Sequence, residues 1–194
     1  GGFTAITDWI SKAGSRIAQD TREVRVYELA GARVMDVRIV IRPVGGPIAF
    51  GDTKEGSFGL RLADSMRLRG GDGQIVSGSG VTGAEAWGKR APWVDYSGTV
   101  DGARVGVAIL EHPKSFRHPT WWHVRDYGLF CANPFGIHDF ERDKPAGTGA
   151  HTVAPGDSLT LAYRIIFHAG DAEQAQIGRR WSDWTKPPVA EIAR

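Results

Sequence analysis

Apolar and polar residues alternate with a period of two over much of this chain. Between Arg33 and Arg42 the odd positions Met35, Val37, Ile39 and Ile41 are apolar, while Asp36, Arg38 and Arg42 take even ones. Side chains alternate across a strand, so this pattern sets one face on a core and one in water, as in an antiparallel sheet. Ser158–His168 repeats it, with Leu159, Leu161, Tyr163, Ile165 and Phe167 on one face. Phe3–Ile10, Thr21–Leu29, Ser57–Ala63, Gln74–Ser77, Pro92–Tyr96 and Arg104–Leu110 read as further strands. Turn chemistry separates them at Ala30-Gly31, Gly45-Gly46-Pro47, Gly70-Gly71-Asp72-Gly73, Asp101-Gly102 and Pro155-Gly156-Asp157. A single helix is predicted near the C-terminus. Asp171 is its expected N-cap, Ile177, Trp181 and Trp184 share one face, and Pro187-Pro188 stops it. Many short strands and one helix predict an all-β, antiparallel two-sheet β-sandwich with a C-terminal α-helix lying on a sheet.

Composition narrows the class. The 194 residues suit one domain, 1–194, and 41% hydrophobic with 24% charged residues is ordinary for a globular protein. The net charge is only +2 and no basic stripe appears, so no nucleic-acid partner is expected. The apolar run Val105–Leu110 is far below the ~18 residues of a membrane span, so no membrane span is expected. Cys131 is the only cysteine, which rules out an internal disulfide or a cysteine-based zinc site. Its apolar neighbours Leu129, Phe130 and Ala132 predict a buried, unreactive thiol. The chain opens Gly1-Gly2-Phe3 without methionine or a signal pattern, and we read it as lacking its natural beginning. Compartment, periplasm or cytoplasm, is left open by that reading, as are cofactors and oligomeric state.

Three segments gather chemistry against the alternation. The first, Phe50–Gly59, sets Asp52, Thr53, Lys54 and Glu55 between glycines just before a strand. Glycines let backbone approach a ligand, and an acid at a loop–strand junction can serve as a general acid or base. A solvated turn would show the same residues. The second, Ala86–Tyr96, places Lys89, Arg90 and Asp95 beside Trp87 and Trp93. Aromatic faces for a ring and charged groups for its hydroxyls make a sugar site, although core tryptophans give the same composition. The third, Glu111–Gly128, is the densest, with three histidines, two arginines and two tryptophans. Histidine is the natural acid or base near neutral pH, but no metal-binding spacing is present and no metal ligands are expected. His118 and His123 would face opposite sides of a regular strand. His138 and Asp139 read as loop residues beyond the Asn133-Pro134-Phe135-Gly136 turn, and His151 and His168 as surface or sheet-edge histidines.

Phe50-Gly51-Asp52-Thr53-Lys54-Glu55-Gly56, Trp87-Gly88-Lys89-Arg90 and Trp93-x-Asp95-Tyr96-Ser97-Gly98 resemble motifs of a bacterial family labelled "methane oxygenase PmoA". So do Arg117-His118-Pro119-Thr120-x-Trp122-His123-Val124-Arg125 and Tyr127-Gly128-Leu129-Phe130-x-Ala132-Asn133-Pro134-Phe135-Gly136. The resemblance runs in order through nearly the whole chain. It implies a supersandwich-like β protein from bacteria that degrade complex carbohydrates. It also implies a histidine- and aromatic-rich stretch upstream, so that this chain matches roughly the C-terminal two-thirds of the family domain.

The expected function is a carbohydrate-active enzyme acting on a small-molecule or oligosaccharide substrate, by hydrolysis, elimination or another sugar modification. Glu55 or Asp52 would be its acid or base, with His118 and His123 as proton-transfer groups. Lys54, Lys89, Arg90, Asp95, Arg117 and Arg125 would hold hydroxyls or anionic groups, and Trp93 or Trp122 would stack on the ring. Two-carboxylate hydrolysis would draw on Glu55, Asp52 and Asp95. The alternative is a non-catalytic carbohydrate-binding or accessory sandwich, which needs the aromatics and arginines but no acid–base pair. Oxygenase chemistry, as the family label has it, is the remote alternative.

Overall fold

The computed structural model of the protein describes residues 1–187. The first six strands are β1 (Gly2–Ile10), β2 (Arg16–Leu29), β3 (Ala32–Pro43), β4 (Ile48–Phe50), β5 (Phe58–Arg61) and β6 (Gln74–Ser77). The next six are β7 (Trp93–Val100), β8 (Ala103–Glu111), β9 (Trp121–Val124), β10 (Leu129–Asn133), β11 (His151–Val153) and β12 (Leu159–Ala169). Two helices, α1 (Ile137–Phe140) and α2 (Ile177–Thr185), complete the order. Seven strands form one antiparallel sheet in the order β1-β2-β3-β12-β8-β7-β6. A three-stranded sheet, β5-β10-β9, and the pair β11-β4 make the facing layer. The two-layer, antiparallel architecture with a C-terminal helix is therefore as the alternation predicts.

The core lies between the layers. Val37, Ile41, Leu161, Tyr163, Ile165, Ile109 and Val94 from the large sheet meet Trp122, Val124, Phe130 and Ala132 from the small one. Phe58 of β5 stacks on Tyr163 of β12, with ring centroids 4.4 Å apart. The opposite face of the large sheet is covered too: Val34, Ala108, Leu110 and Ile166 pack under Ala172, Ala175 and Ile177, with Trp181 and Trp184 alongside. Cover on both faces explains the unbroken apolar run in β8, where alternation would otherwise be expected.

Three local features depart from the sequence pattern. Asp171 caps a turn rather than the helix: its Oδ1 accepts the Glu173 and Gln174 amides at 3.0 and 2.9 Å. The helix starts only at Ile177, after Gln176 in a left-handed conformation (φ 53°), and Pro188 of the expected stop lies outside the described residues. Trp121–Val124 and Leu129–Asn133 are strands of the small sheet, and all of β9 is buried, which hides its period of two. His138 sits in the short α1 rather than a loop. Among the described residues no helix is long and apolar enough to cross a membrane.

Candidate functional site

In β8 the core-facing phase runs Val105, Val107, Ile109 and then Glu111, so a carboxylate arrives where an apolar side chain is due. The Glu111 side chain has no exposed surface. Its Oε2 accepts the Thr120 amide at 2.8 Å and Nδ1 of His118 at 2.8 Å. Its Oε1 is buried without a hydrogen-bond partner, and so is the hydroxyl of Tyr163, its cross-strand neighbour. Burial pushes the Glu111 carboxyl up, opposed by the His118 and Thr120 hydrogen bonds, and pushes the Tyr163 phenol well up. With Nδ1 of His118 engaged by the carboxylate, Nε2 is left for another partner, the orienting arrangement of a carboxylate behind an acid–base imidazole.

The segment carrying His118 is strapped in place. Arg117 has a left-handed backbone (φ 58°) and donates to the carbonyls of Pro134, Gly149 and Ala150 at 2.9, 2.6 and 3.0 Å. Arg90 donates to the Pro119 and Arg117 carbonyls at 2.7 and 3.2 Å and lies 4.2 Å over the Trp121 ring. These two predicted substrate-binding arginines thus spend their donors on backbone. Helix α2 closes the other side: Trp181 lies parallel to His118 at 6.3 Å and donates Nε1–H to the Glu111 carbonyl at 2.9 Å.

One helical turn on, Trp184 meets the edge of His112 at 5.0 Å. His112 accepts the Lys114 amide at 3.1 Å, and burial, then the charges of Lys114, His118 and Arg164, hold its imidazole below the usual range. His112 and Trp184 line a groove of about 530 Å³ together with Arg25, Asp36, Arg38 and Lys114. Beside it, Arg164 grips Asp36 at 2.6 and 2.8 Å and passes 4.7 Å from the Trp184 ring. Tyr27 donates to Asp36 at 2.9 Å, and burial with that carboxylate pushes its phenol up to about 12.

The loop Phe50–Ser57 lies elsewhere, roofing a cleft of about 250 Å³ above β1–β3. The cleft is lined by Trp9, Asp20, Arg22, Phe50, Thr53 and Glu55 among others. Asp20 is wholly buried and saturated, by Trp9 Nε1–H at 2.7 Å and by Arg22 at 2.8 and 3.1 Å. Glu55 is the exposed carboxylate there, 71% exposed and ion-paired with Lys54 at 3.6 Å. Asp52 is structural: its oxygens accept the His138 and Gly149 amides at 3.2 and 2.9 Å. Asp139, in turn, accepts the Lys54 amide at 2.8 Å.

The remaining predicted residues disperse. His123 is on the outer face of the small sheet, its Nδ1 bonded to the Lys54 carbonyl at 2.6 Å and its ring between Trp87 and Phe140. Arg125 lies 5.6 Å over Trp87 on that same side, and Lys89 is exposed on the loop before β7. Trp122 is wholly buried with Nε1–H on the Ala91 carbonyl at 2.9 Å, so it offers no face to a sugar ring. Trp93 packs into the cluster beneath α2. Asp95 is buried against Nε2 of His168 at 2.6 Å, both side chains 1% exposed, on the helix-covered face of the large sheet. The expected surface position of His168 is thereby corrected: its cross-strand partner is Gly106, where any Cβ would collide with the imidazole, so glycine makes room for the ring. Burial pushes the Asp95 carboxyl up against the opposing hydrogen bond from His168.

Sequence reasoning brought His118 forward and placed Glu111 in the same segment without a role, but missed Asp20, Arg22 and Trp9. Glu111 did carry a signal, an acid in the apolar phase of a strand. Asp20 carried one too, since it shares a face with Ala18 and Val24. Among the described residues no group of three or more His, Cys, Asp or Glu side chains is placed to hold a metal ion.

Neither the curated proteins nor the solved structures contain a match to this chain. The sequence profile of a family of unknown function, DUF6807, matches residues 1–182, and the chain belongs to that family.

Proposed function

We propose that this protein is a carbohydrate-active enzyme in which His118, oriented by Glu111, transfers a proton at Nε2. The observation that carries the reading is the doubly used oxygen of the wholly buried Glu111 side chain, which fixes His118 Nδ1 and the Thr120 amide at once. A buried carboxylate behind an imidazole sets its tautomer and stabilises the imidazolium formed when Nε2 takes up a proton. The neighbouring groove supports a sugar as substrate, since it offers one indole among charged groups able to hold hydroxyls. The test is turnover of plant and algal oligosaccharides and glycosides, followed by NMR. We expect a product with the wild type, none with His118→Asn, and a lowered kcat with a displaced pH profile for Glu111→Gln. Turnover unchanged in His118→Asn would remove the assignment.

A second reading, carbohydrate binding without catalysis, is favoured by where the carboxylates lie. Asp52 is tied to backbone amides, Glu55 stands in the cleft, and Asp95 is sealed beneath α2. Hydrolysis by two carboxylates needs both beside one glycosidic bond. Ligand line-broadening without product would select this reading.

A further inference from the structure

We infer that the cleft under the Phe50–Ser57 loop is a separate binding site for one uncharged pyranose ring. Its wall is aromatic and rigid. Phe50 stacks on Phe135 at 4.8 Å and meets Trp9 edge-on at 6.1 Å. The Trp9 indole is further fixed by its hydrogen bond to Asp20, 2.7 Å long. Such preorganised rings present C–H-binding surface with little ordering cost on association.

Polar groups converge on the same space. Arg22 uses Nε and one terminal nitrogen on Asp20, and its side chain stays 48% exposed, leaving N–H groups for a ligand oxygen. Thr53 accepts the Glu55 amide at 3.1 Å through its hydroxyl oxygen and keeps its own O–H to give. The Glu55 carboxylate can accept two neighbouring sugar hydroxyls, as ionised carboxylates do with paired donors. The volume, about 250 Å³, lies just below the usual range for drug-sized ligand pockets and suits a single ring.

Charge selects the class. Asp20 is paired with Arg22, and Glu55 with Lys54 at 3.6 Å just outside the lining, so no cation at the cleft is left uncompensated. A uronate or sulfated sugar would meet two carboxylates and no spare cation to hold it, whereas a neutral hexopyranoside needs none. The cleft is lined by neither His118 nor His112, so this inference stands independently of the catalytic reading.

The test is titration of the ¹⁵N-labelled protein with methyl β-D-glucopyranoside, methyl β-D-galactopyranoside, methyl β-D-mannopyranoside and sodium D-glucuronate. The expected result is a saturable shift of the Trp9 indole N–H and the Thr53 and Ser57 amides with at least one methyl glycoside. Glu55→Gln, at an exposed position that leaves the fold intact, should weaken that binding about tenfold, the loss of one charge-assisted contact. His118→Asn should leave it unchanged, whatever it does to turnover. No shift at these residues with any methyl glycoside overturns the inference, as does glucuronate binding as tightly as the neutral sugars, or Glu55→Gln binding like the wild type.

Discussion

Glu111 and His118, seven positions apart in the chain, meet at 2.8 Å because the segment between them folds back under α2. The contact joins the end of a core strand to an irregular loop, and Trp181 of α2 ties to both residues. A carboxylate placed this deep depends on the two partners of Oε2, because Oε1 has none.

Replacing Glu111 by alanine strands the Thr120 amide in the interior and frees His118. A buried donor left without its acceptor costs about 1–3 kcal/mol. Urea unfolding of Glu111→Ala should show that loss as a lower midpoint with an unchanged slope. A midpoint equal to wild type would mean that this carboxylate organises nothing.

The Asp95–His168 contact should behave as a buried, coupled hydrogen-bonded pair. Truncating one partner leaves the other buried and unsatisfied, at about 1–3 kcal/mol for His168→Leu or Asp95→Val alone. The double variant Asp95→Val with His168→Leu should lose much less than the two single losses together, and a double-mutant cycle measures the difference. Additive losses would contradict the pairing.

Tyr27 gives a pH signature. Its phenol is raised from the ordinary 10.0 to about 12 by burial and by Asp36. A raised folded-state value means that its contribution to stability is fully present below pH 10.0 and is lost as the pH climbs through about 12. Ultraviolet titration should find a tyrosine ionising near that value whose signal is lost in Tyr27→Phe, and Asp36→Asn should bring it down. Ionisation of Tyr27 at its ordinary value would refute the network with Asp36 and Arg164.

Burial likewise pushes the Cys131 thiol up, with Arg61 opposing and Glu55 adding to the shift. Less thiolate at neutral pH means slow alkylation. Iodoacetamide should modify the native chain at pH 7 far more slowly than the urea-unfolded chain. Equal rates would show that the thiol is not held in the small sheet beside Gly59.

Strands β3 and β12 were legible because each has one face on the core and a more polar face behind it. Strands β9 and β10 were not, since their residues are buried nearly throughout and alternation is lost when both faces are covered. The predicted site residues were rich in the right chemistry, but their fates depended on distant partners. Asp52 is spent on amides 86 and 97 positions away, and Asp95 on a histidine 73 positions away.

The sequence alone determined the antiparallel sheet class, the C-terminal helix and the chemical richness of residues 111–128. Those depend on local periodicity and turn residues, which act over a few positions. Only the tertiary structure decided that Glu111 backs His118, that Arg117 and Arg90 brace loops, and that Glu55 stands apart over a cleft with Trp9 and Arg22. The physical reason is that a buried polar group must be satisfied by whatever the packing of the layers brings within about 3 Å, and strand order, not sequence spacing, sets that neighbour.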